Sequence, residues 1–241
     1  GSMVIYSCIN AILKIPATES LMTLAAEQVG AFLKSGVPNL RYLGIRSLSS
    51  AMGNPETSSN AQFAALLEEH QMDVVDCLES EDDTLRRETL ELLFRMSTPD
   101  NAPAIAGRLL DALRRDSTGS NSGQQQMRTE LVARVTQLAE RFSPTPRWFL
   151  DTISTVLELG GDVVRPHVAE SLLRMIEEQK GDSEFISYVC KWFADRVAAS
   201  LLPGSVRMPH LLAQVAGWVL GEYGDQAPAV NPITALEGLC G

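Results

Sequence analysis

The chain has 241 residues, 45% hydrophobic and 21% charged, so it is long and apolar enough to bury a sizeable core. Its formal net charge is −10, and such an acidic protein repels phosphate backbones, which argues against nucleic acid as a partner. No apolar run reaches the roughly 20 residues of a bilayer-spanning helix, and no secretory signal is visible. The four widely spaced cysteines do not indicate a disulfide framework, which favours a reducing compartment.

Nearly every segment has the apolar spacing of an amphipathic helix, and no segment shows the alternation of a β-strand. Gly1-Ser2 is typical of the remnant of a cleaved purification tag, so the chain is expected to be a fragment of a longer protein. In the first half, helices are predicted at about 3–14, 18–35, 38–52, 60–79, 83–96 and 101–115. The pattern over 60–79 fits either one helix or two short ones.

An acidic run precedes the helix at 83–96: Glu79, Glu81, Asp82 and Asp83. Carboxylates at the start of a helix offset the positive end of its dipole and accept hydrogen bonds from its free amides. A metal site is the alternative, but the spacing of a calcium loop is absent from the chain. The sequence therefore predicts a helix cap here and no metal ligand.

In the second half, the polar, Gly/Ser-rich segment 116–126 is predicted to be a flexible loop between repeats. Helices follow at 127–142, 146–159, 166–179, 183–200 and 208–223, and a last helix at 231–239 is expected to be half of an incomplete pair. Pro146, Pro166 and Pro209 fall at predicted first turns, where a missing N–H costs nothing.

Five arginines that each follow Leu, Met or Val recur along the chain: Arg41, Arg86, Arg128, Arg165 and Arg207. Their intervals of 45, 42, 37 and 42 residues are close to the roughly 40–47 residues of a HEAT or armadillo repeat. We therefore predict an all-α fold, a right-handed α-solenoid of HEAT/armadillo-like helix pairs with about 11–13 helices. Residues 3–241 are expected to form a single trunk, which offers a surface for other proteins rather than a pocket for chemistry.

Residues with catalytic potential are few. Of the three histidines, His70, His167 and His210, the last two occupy equivalent positions after a proline, which favours a shared structural role. A Cys190/His210 nucleophile pair is conceivable, but only Lys191 beside Cys190 could activate it. No metalloprotease, phosphate-loop or nucleophile-elbow motif is present. The sequence therefore predicts no catalytic, cofactor-binding or metal-binding residue and no cofactor.

Two further groups of residues admit a structural and a functional interpretation. Arg86-Arg87 and Arg114-Arg115 are interpreted as solvated helix faces, with contact to an anionic lipid or phosphate as the alternative. The three tryptophans lie in amphipathic patterns and are interpreted as core residues rather than a ligand platform: Trp148, Trp192 and Trp218.

Three strings resemble the trunk of a large adaptin, the large subunit of adaptor-protein coat complexes. They are HQMDVVDCLESEDDTLRRETLELLFRMS at 70–97, LAERFSPTPRWFLDTISTVLELGGDVV at 138–164 and WVLGEYGD at 218–225. With the weaker stretch NLRYLGIRSL at 39–48, the resemblance covers about residues 18–226. Among adaptins, DCLESEDDTLRRETLELLFRM and VAESLLRMIEE are most similar to epsilon-adaptin, and gamma-adaptin is the next candidate.

The resemblance implies a non-enzymatic scaffold within a heterotetramer, with a second large subunit, a medium subunit and a small subunit as partners. It further implies a cytoplasmic complex that an Arf-type GTPase recruits, through the complete trunk, to trans-Golgi or endosomal membrane. There the complex sorts transmembrane cargo, without clathrin if the chain is epsilon-like. Membrane association is then peripheral, and no binding residue of the family can be assigned to a position in this chain.

Two alternatives remain open at this point. Another HEAT-type scaffold, such as a nuclear-transport carrier or a phosphatase regulatory subunit, predicts a long regular array without the Gly-Glu-Tyr-Gly block at 221–224. A hydrolase predicts a concave site that joins Cys190 or a histidine to an activating group.

Overall fold

The structure is a computed structural model, and it describes residues 1–15, 17–54, 57, 61–115, 122–200, 202 and 207–226. These residues form twelve α-helices and no β-strand, so the predicted all-α fold of the solenoid type is confirmed. The count also lies within the 11–13 helices expected from the sequence.

Among the described residues of the first half, there are six α-helices: α1 (Ser2–Ile12), α2 (Glu19–Leu33), α3 (Pro38–Met52), α4 (Ala61–Glu69), α5 (Gln71–Asp76) and α6 (Asp83–Met96). A 3-10 turn at Cys77–Glu79 connects α5 to α6. Of the predicted helical segment 60–79, the described residues 61–76 thus form two short helices, with His70 between them.

The described part of the second half contains six more α-helices: α7 (Ala102–Arg115), α8 (Ser122–Phe142), α9 (Pro146–Gly160), α10 (Pro166–Glu178), α11 (Ser183–Ser200) and α12 (His210–Tyr223). Two 3-10 turns follow the ends of α9 and α12, at Gly161–Val163 and Gly224–Gln226. The predicted helix at 231–239 lies outside the described residues.

The helices group into two compact units, Gly1–Asn101 and Ala102–Gly241. In the first unit, α2 packs against α3, α1 contacts both of them, and α3 also packs against α6. Fully buried aliphatic side chains fill these interfaces: Val29, Ile45, Leu48, Val74, Leu85, Leu92 and Leu93. That residues 3–241 form one trunk stays a prediction.

In the second unit, consecutive helices pack from α7 to α10, and α11 packs against α12. Helices that are two positions apart in the chain also touch: α7 contacts α9, and α10 contacts α12. Each helix pair of this unit therefore contacts the next pair. The core is again aliphatic and aromatic: Val135, Leu138, Leu150, Ile153, Val156, Leu172, Ile186, Val189, Phe193 and Val219. This alternation of contacts within and between pairs is the packing that a helical repeat requires.

Part of the predicted loop at 116–126 is helical. Residues 116–121 lie outside the described part, but α8 begins at Ser122, five residues before the predicted start at 127. Gln is a good helix former, and Gln126 Nε2 donates to Glu130 Oε1 at 3.4 Å, one turn further along. Residues 122–126 are therefore helical, contrary to the prediction, whereas a loop at 116–121 stays a prediction.

The helix starts largely follow the sequence signals. Asp82 Oδ1 accepts hydrogen bonds from the amides of Thr84 and Leu85 at 2.8 and 3.1 Å, so the predicted acidic cap is confirmed. Thr145 caps α9, since its Oγ1 accepts from the amide of Trp148 at 3.2 Å. Each of these caps fixes where a helix begins and therefore which of its faces meets the core.

Candidate interaction surface

The five arginines identified by their spacing occur once in each helix pair. They lie in α3, α6 and α8, at the N-cap of α10 and just before α12: Arg41, Arg86, Arg128, Arg165 and Arg207. We pair consecutive helices as follows: α2 with α3, α4 and α5 with α6, α7 with α8, α9 with α10, and α11 with α12. Each pair then has one of these arginines in its second helix or just before it. The spacing marks the repeat correctly.

The contacts of these arginines are not equivalent. Arg41 Nε donates to the Ser35 carbonyl at 2.6 Å, just beyond α2. Arg128 Nη2 donates to the carbonyls of Leu159 and Gly160 at 3.0 and 3.3 Å, at the end of α9. A guanidinium at a helix C-terminus satisfies carbonyls that lack a partner in the helix. Arg86 instead pairs with Asp83 of its own first turn at 3.7 Å.

A row of polar contacts joins α9 to α11, the first helices of two neighbouring pairs. We call it the α9–α11 ladder, and its members are Arg147, Asp151 and Glu158 of α9 with Glu184, Tyr188, Trp192 and Arg196 of α11. Arg147 Nη2 lies 3.1 Å from Glu184 Oε1. Trp192 Nε1 donates to Asp151 Oδ1 at 3.1 Å. Arg196 donates to Glu158 at the far end of the row.

Aromatic rings support both arginines of the ladder. The guanidinium of Arg147 lies 4.6 Å from the centre of the Tyr188 ring, and that of Arg196 lies 3.8 Å from the Trp192 ring. The side chains of Arg196 and Glu158 are 38% and 32% exposed, against 52% and 87% for Arg147 and Glu184. Water therefore screens the Arg147 pair more strongly, and Arg196 forms the more stabilising end of the ladder.

In the first unit, α3 and α6 are joined in a similar way. Arg46 Nη1 lies 3.3 Å from Glu88 Oε1, and Arg95 Nη1 donates to the Ser49 carbonyl at 3.1 Å. The nearby Tyr42 and Glu88 raise the pKa of Arg46, so this guanidinium stays charged. Its centre lies 5.9 Å from the Tyr42 ring, which repeats the combination of cation and aromatic ring found in the second unit.

The partners in these contacts have similar sequence separations. Their partners are 42 and 46 residues apart in the first unit and 37, 41 and 38 residues apart in the α9–α11 ladder. That range matches the repeat period given by the arginine spacing, so a search for opposite charges one period apart could have found the pairs. Each contact therefore ties one helix pair to the next.

A surface groove of about 500 Å³ lies beside the connection between α8 and α9. Its apolar floor includes Phe149 and Met175, and its polar lining includes Glu140, Thr145 and Arg174. Ser171 of α10 donates a hydrogen bond to Glu140 of α8, so this groove also lies where two pairs meet. Its lining thus combines apolar and charged side chains from three helices.

The structure gives no support to nucleophilic catalysis by Cys190. The thiol is buried and donates to the Tyr223 carbonyl at 3.4 Å, whereas His210 is exposed at the start of α12. Burial raises the pKa of Cys190, so the thiol stays protonated at neutral pH and is a poor nucleophile. The described residues thus do not assemble the Cys190/His210 pair that a hydrolase would need.

The histidines have different surroundings. His70 is buried, and its Nδ1 lies 2.7 Å from Asp73 Oδ2, while its ring packs on Gly30 of α2. His167 and His210 are exposed in the first turns of α10 and α12. Within the described ranges, no three His, Cys, Asp or Glu side chains are grouped so that they could hold a metal ion.

All three tryptophans depart from the expected core role, and Trp148 of α9 is partly exposed. Trp192 belongs to the α9–α11 ladder, as described above. Trp218 of α12 is 39% exposed and meets Tyr223 edge to face at 5.7 Å between ring centres.

Among the helices that the structure describes, none is both long and apolar enough to cross a bilayer.

Comparison with known proteins gives relatives of one kind. The chain is 35% identical to the AP-4 complex subunit epsilon of Arabidopsis thaliana over 226 residues, which are 93% of this chain and 22% of that protein. It is 31% identical to the human AP-4 complex subunit epsilon-1 over 91% of this chain and 18% of the relative. The AP-1 complex subunit gamma of Dictyostelium discoideum is 27% identical over 93% of this chain and 22% of its own length.

The chain spans about a fifth of the length of these relatives. The similarity to epsilon subunits first and gamma subunits next agrees with the resemblance that the three sequence blocks carry. The family model described as the adaptin N terminal region matches residues 1–237, nearly the whole chain. Sequence blocks, paired helices and family match therefore lead to one conclusion: the chain belongs to the adaptin family, as part of its N-terminal region.

Proposed function

We propose that this chain is a trunk segment of the large subunit of a heterotetrameric vesicle-coat adaptor. The match to the adaptin N-terminal region over residues 1–237 carries the proposal. The names of the relatives, which are subunits of AP-4 and AP-1 complexes, support it further. Its partners are then a second large, a medium and a small adaptor subunit.

In this role the chain acts as a scaffold and not as an enzyme. Helix pairs bury one face against their neighbours and leave outer ridges free, and such ridges can hold a folded subunit over more than about 2,000 Å², as permanent complexes do. The polar contacts between pairs, such as Arg196 with Glu158, support this role because they fix how one ridge lies beside the next. The buried state of Cys190 agrees with a scaffold as well.

The family also suggests where the complex works. We place it on the cytoplasmic side of trans-Golgi or endosomal membrane, held there peripherally through the complex and recruited by an Arf-type GTPase that needs the complete trunk. There it sorts transmembrane cargo into vesicles. With epsilon subunits as relatives, the partner set of an AP-4 complex is the first to test.

Co-expression followed by size-exclusion chromatography tests the proposal. The longer trunk that contains this chain is produced with the small and medium subunits of AP-4, and in parallel with those of AP-1. We expect stable co-elution with the AP-4 subunits at an equal ratio of chains. Using the longer trunk ensures that a missing contact surface does not imitate a negative result.

A matched set of unrelated partners serves as the control. The catalytic subunit of a phosphatase and a nuclear-import cargo represent the other HEAT-type scaffolds. Co-elution with either of them, combined with no binding to any adaptor subunit, would overturn the proposed function.

A further inference from the structure

The connection between α8 and α9 contains two consecutive steps in which a hydroxyl residue precedes proline. They are Ser143-Pro144 and Thr145-Pro146, and Thr145 is exposed to solvent. The backbone of Thr145 is extended, with φ −149° and ψ 152°. Proline-directed protein kinases recognise an exposed Ser or Thr that proline follows, in an extended conformation that here requires the first turn of α9, from Pro146 onward, to open. The adaptin resemblance assigns no role to this connection.

The two hydroxyl groups differ in availability. Ser143 is half-buried, and its Oγ donates to the Thr145 carbonyl at 2.9 Å. Thr145 Oγ1 instead accepts a hydrogen bond, from the amide of Trp148 at 3.2 Å. The hydroxyl hydrogen of Thr145 therefore takes no part in the cap. Fraying of the first turn breaks the bond from the Trp148 amide and frees the oxygen lone pair that accepted it. Thr145 is the better acceptor of the two.

Opening the first turn of α9 requires little energy. The Thr145 cap is a single hydrogen bond to the Trp148 amide. The exposed pair Arg147–Glu184 adds little, because water screens it. Beyond this turn, Phe149 and Leu150 are buried and hold the rest of α9 in place. A kinase can therefore bind the connection without unfolding the unit.

From these observations we propose that Thr145 is a phosphorylation site for a proline-directed serine/threonine kinase that uses ATP. Thr145 Oγ1 attacks the γ-phosphorus of ATP, and the bond from that phosphorus to the β–γ bridging oxygen breaks. ADP leaves, and the hydroxyl proton passes to the base of the kinase. The product is a phosphothreonine that carries about −1.5 to −2 charges at neutral pH.

The surroundings can accept this phosphate. Thr145 and Arg174 line the same groove, so a phosphate on Thr145 can turn towards an exposed guanidinium. Thr145 is also the N-cap of α9, and a phosphate at the start of a helix is favoured by the positive end of the helix dipole. Glu140 and Glu178 also line the groove and repel the phosphate from their side. Phosphorylation thus tightens the start of α9 and makes the groove more acidic.

Mass spectrometry of the folded chain after treatment with a proline-directed kinase and ATP tests the proposal. We expect phosphate on Thr145 at close to one per chain and slower hydrogen exchange at the amides of 147–149. The variant Thr145→Asn keeps a good helix cap but removes the acceptor, so it should lose this phosphate while it stays folded. The variant Ser143→Ala should keep the phosphate on Thr145.

Two comparators make the outcome decisive. A synthetic peptide covering 138–152 shows whether the kinase accepts the sequence when it is unfolded. Thr98-Pro99 is a further exposed Thr-Pro step, in the first unit. Phosphate on the peptide but not on the folded chain overturns the proposal, as does phosphate confined to Ser143 or Thr98. No phosphate on either peptide or chain overturns it too.

Discussion

Gly160, the last residue of α9, lies at a close approach between segments of the second unit. A Cβ atom added to it would come within 2.3 Å of Val164 Cγ2 and 3.0 Å of Val132 Cγ2. Both neighbours are stiff, β-branched side chains, so Gly160→Ala should lower the free energy of unfolding by about 1–3 kcal/mol, the usual cost of overpacking. Chemical denaturation in urea measures the change.

Gly107 provides the matched control for Gly160. It lies inside α7, where an added Cβ would meet no atom within 4 Å. Gly107→Ala should therefore raise the free energy of unfolding by about 0.5–1 kcal/mol, because alanine restricts the unfolded chain and favours the helix. If both variants changed stability by the same amount and sign, the close approach at Gly160 would not be real.

The buried thiol of Cys77 should make stability depend on pH. Burial raises its pKa to about 11 from the ordinary 9.0, with smaller effects of Arg41, Asp76 and Asp73. As pH rises, the Cys77 thiol loses its proton in the unfolded chain before it does so in the folded chain. The stability gained by keeping this thiol neutral and buried is therefore fully present below pH 9 and is lost as pH rises towards 11. The loss should approach about 1.4 kcal/mol for each pH unit in that window.

Replacing Cys77 isolates this effect from the other groups that titrate at high pH. Unfolding of Cys77→Ala, followed from pH 8 to 11, should show a shallower fall in stability than the unchanged chain. The exposed Cys8 gives the control, since Cys8→Ala should leave the slope as it was. An equal slope in all three proteins would mean that Cys77 is not buried as described.

Sequence patterns predicted some of these side-chain roles and missed others. Asp82 was predicted correctly because the groups it caps are its own neighbours in the chain. Gly160 followed a predicted helix end, but its close contact with Val132 depends on another helix 28 positions earlier. Trp192 was expected in the core, and its bond to Asp151 became visible only in three dimensions. Contacts within one turn can be predicted from the sequence, whereas contacts between helices need their register.

The α9–α11 ladder predicts unequal coupling at its two ends. A double-mutant cycle with Arg196→Ala and Glu158→Ala should give a coupling energy of about 0.5–1.5 kcal/mol, because the pair is partly shielded and Arg196 also lies over Trp192. Urea unfolding of the two single variants, the double variant and the unchanged chain measures it.

The same cycle on Arg147 and Glu184 is the internal control. This pair joins the same two helices but is far more exposed, so its coupling should stay below about 0.5 kcal/mol. A coupling at Arg147 as large as that at Arg196 would show that burial does not decide the strength of these contacts.

The helices themselves were largely predictable. The apolar spacing gave the type of every described helix, and residues 38–52 and 183–200 match α3 and α11 at both ends. The errors lie where apolar residues are absent or a turn is short. Polar glutamines concealed the start of α8, and the break at His70 has no proline or glycine to mark it. The spacing of apolar residues reveals only the buried face of a helix, so a fully exposed turn cannot be predicted from it.

At the scale of the whole molecule, composition and repeat spacing were enough to predict the fold class. The three adaptin-like strings were enough to predict the family. The candidate surface was not predictable to the same degree. Its ion pairs, such as Arg46 with Glu88, use residue types that also cover any solvated helix. Only the agreement of their separation with the repeat period distinguishes them, and a search for opposite charges at that spacing is the one sequence signal that could have found them.

The short separation of these contacts also bears on how the protein is made. The partners in these contacts lie no more than 46 residues apart, and local contacts of this kind generally favour fast folding. Each helix pair can dock as soon as the next one has left the ribosome, without waiting for the rest of the polypeptide. A nascent subunit built in this way exposes only its newest, unfinished end to aggregation at any moment during synthesis.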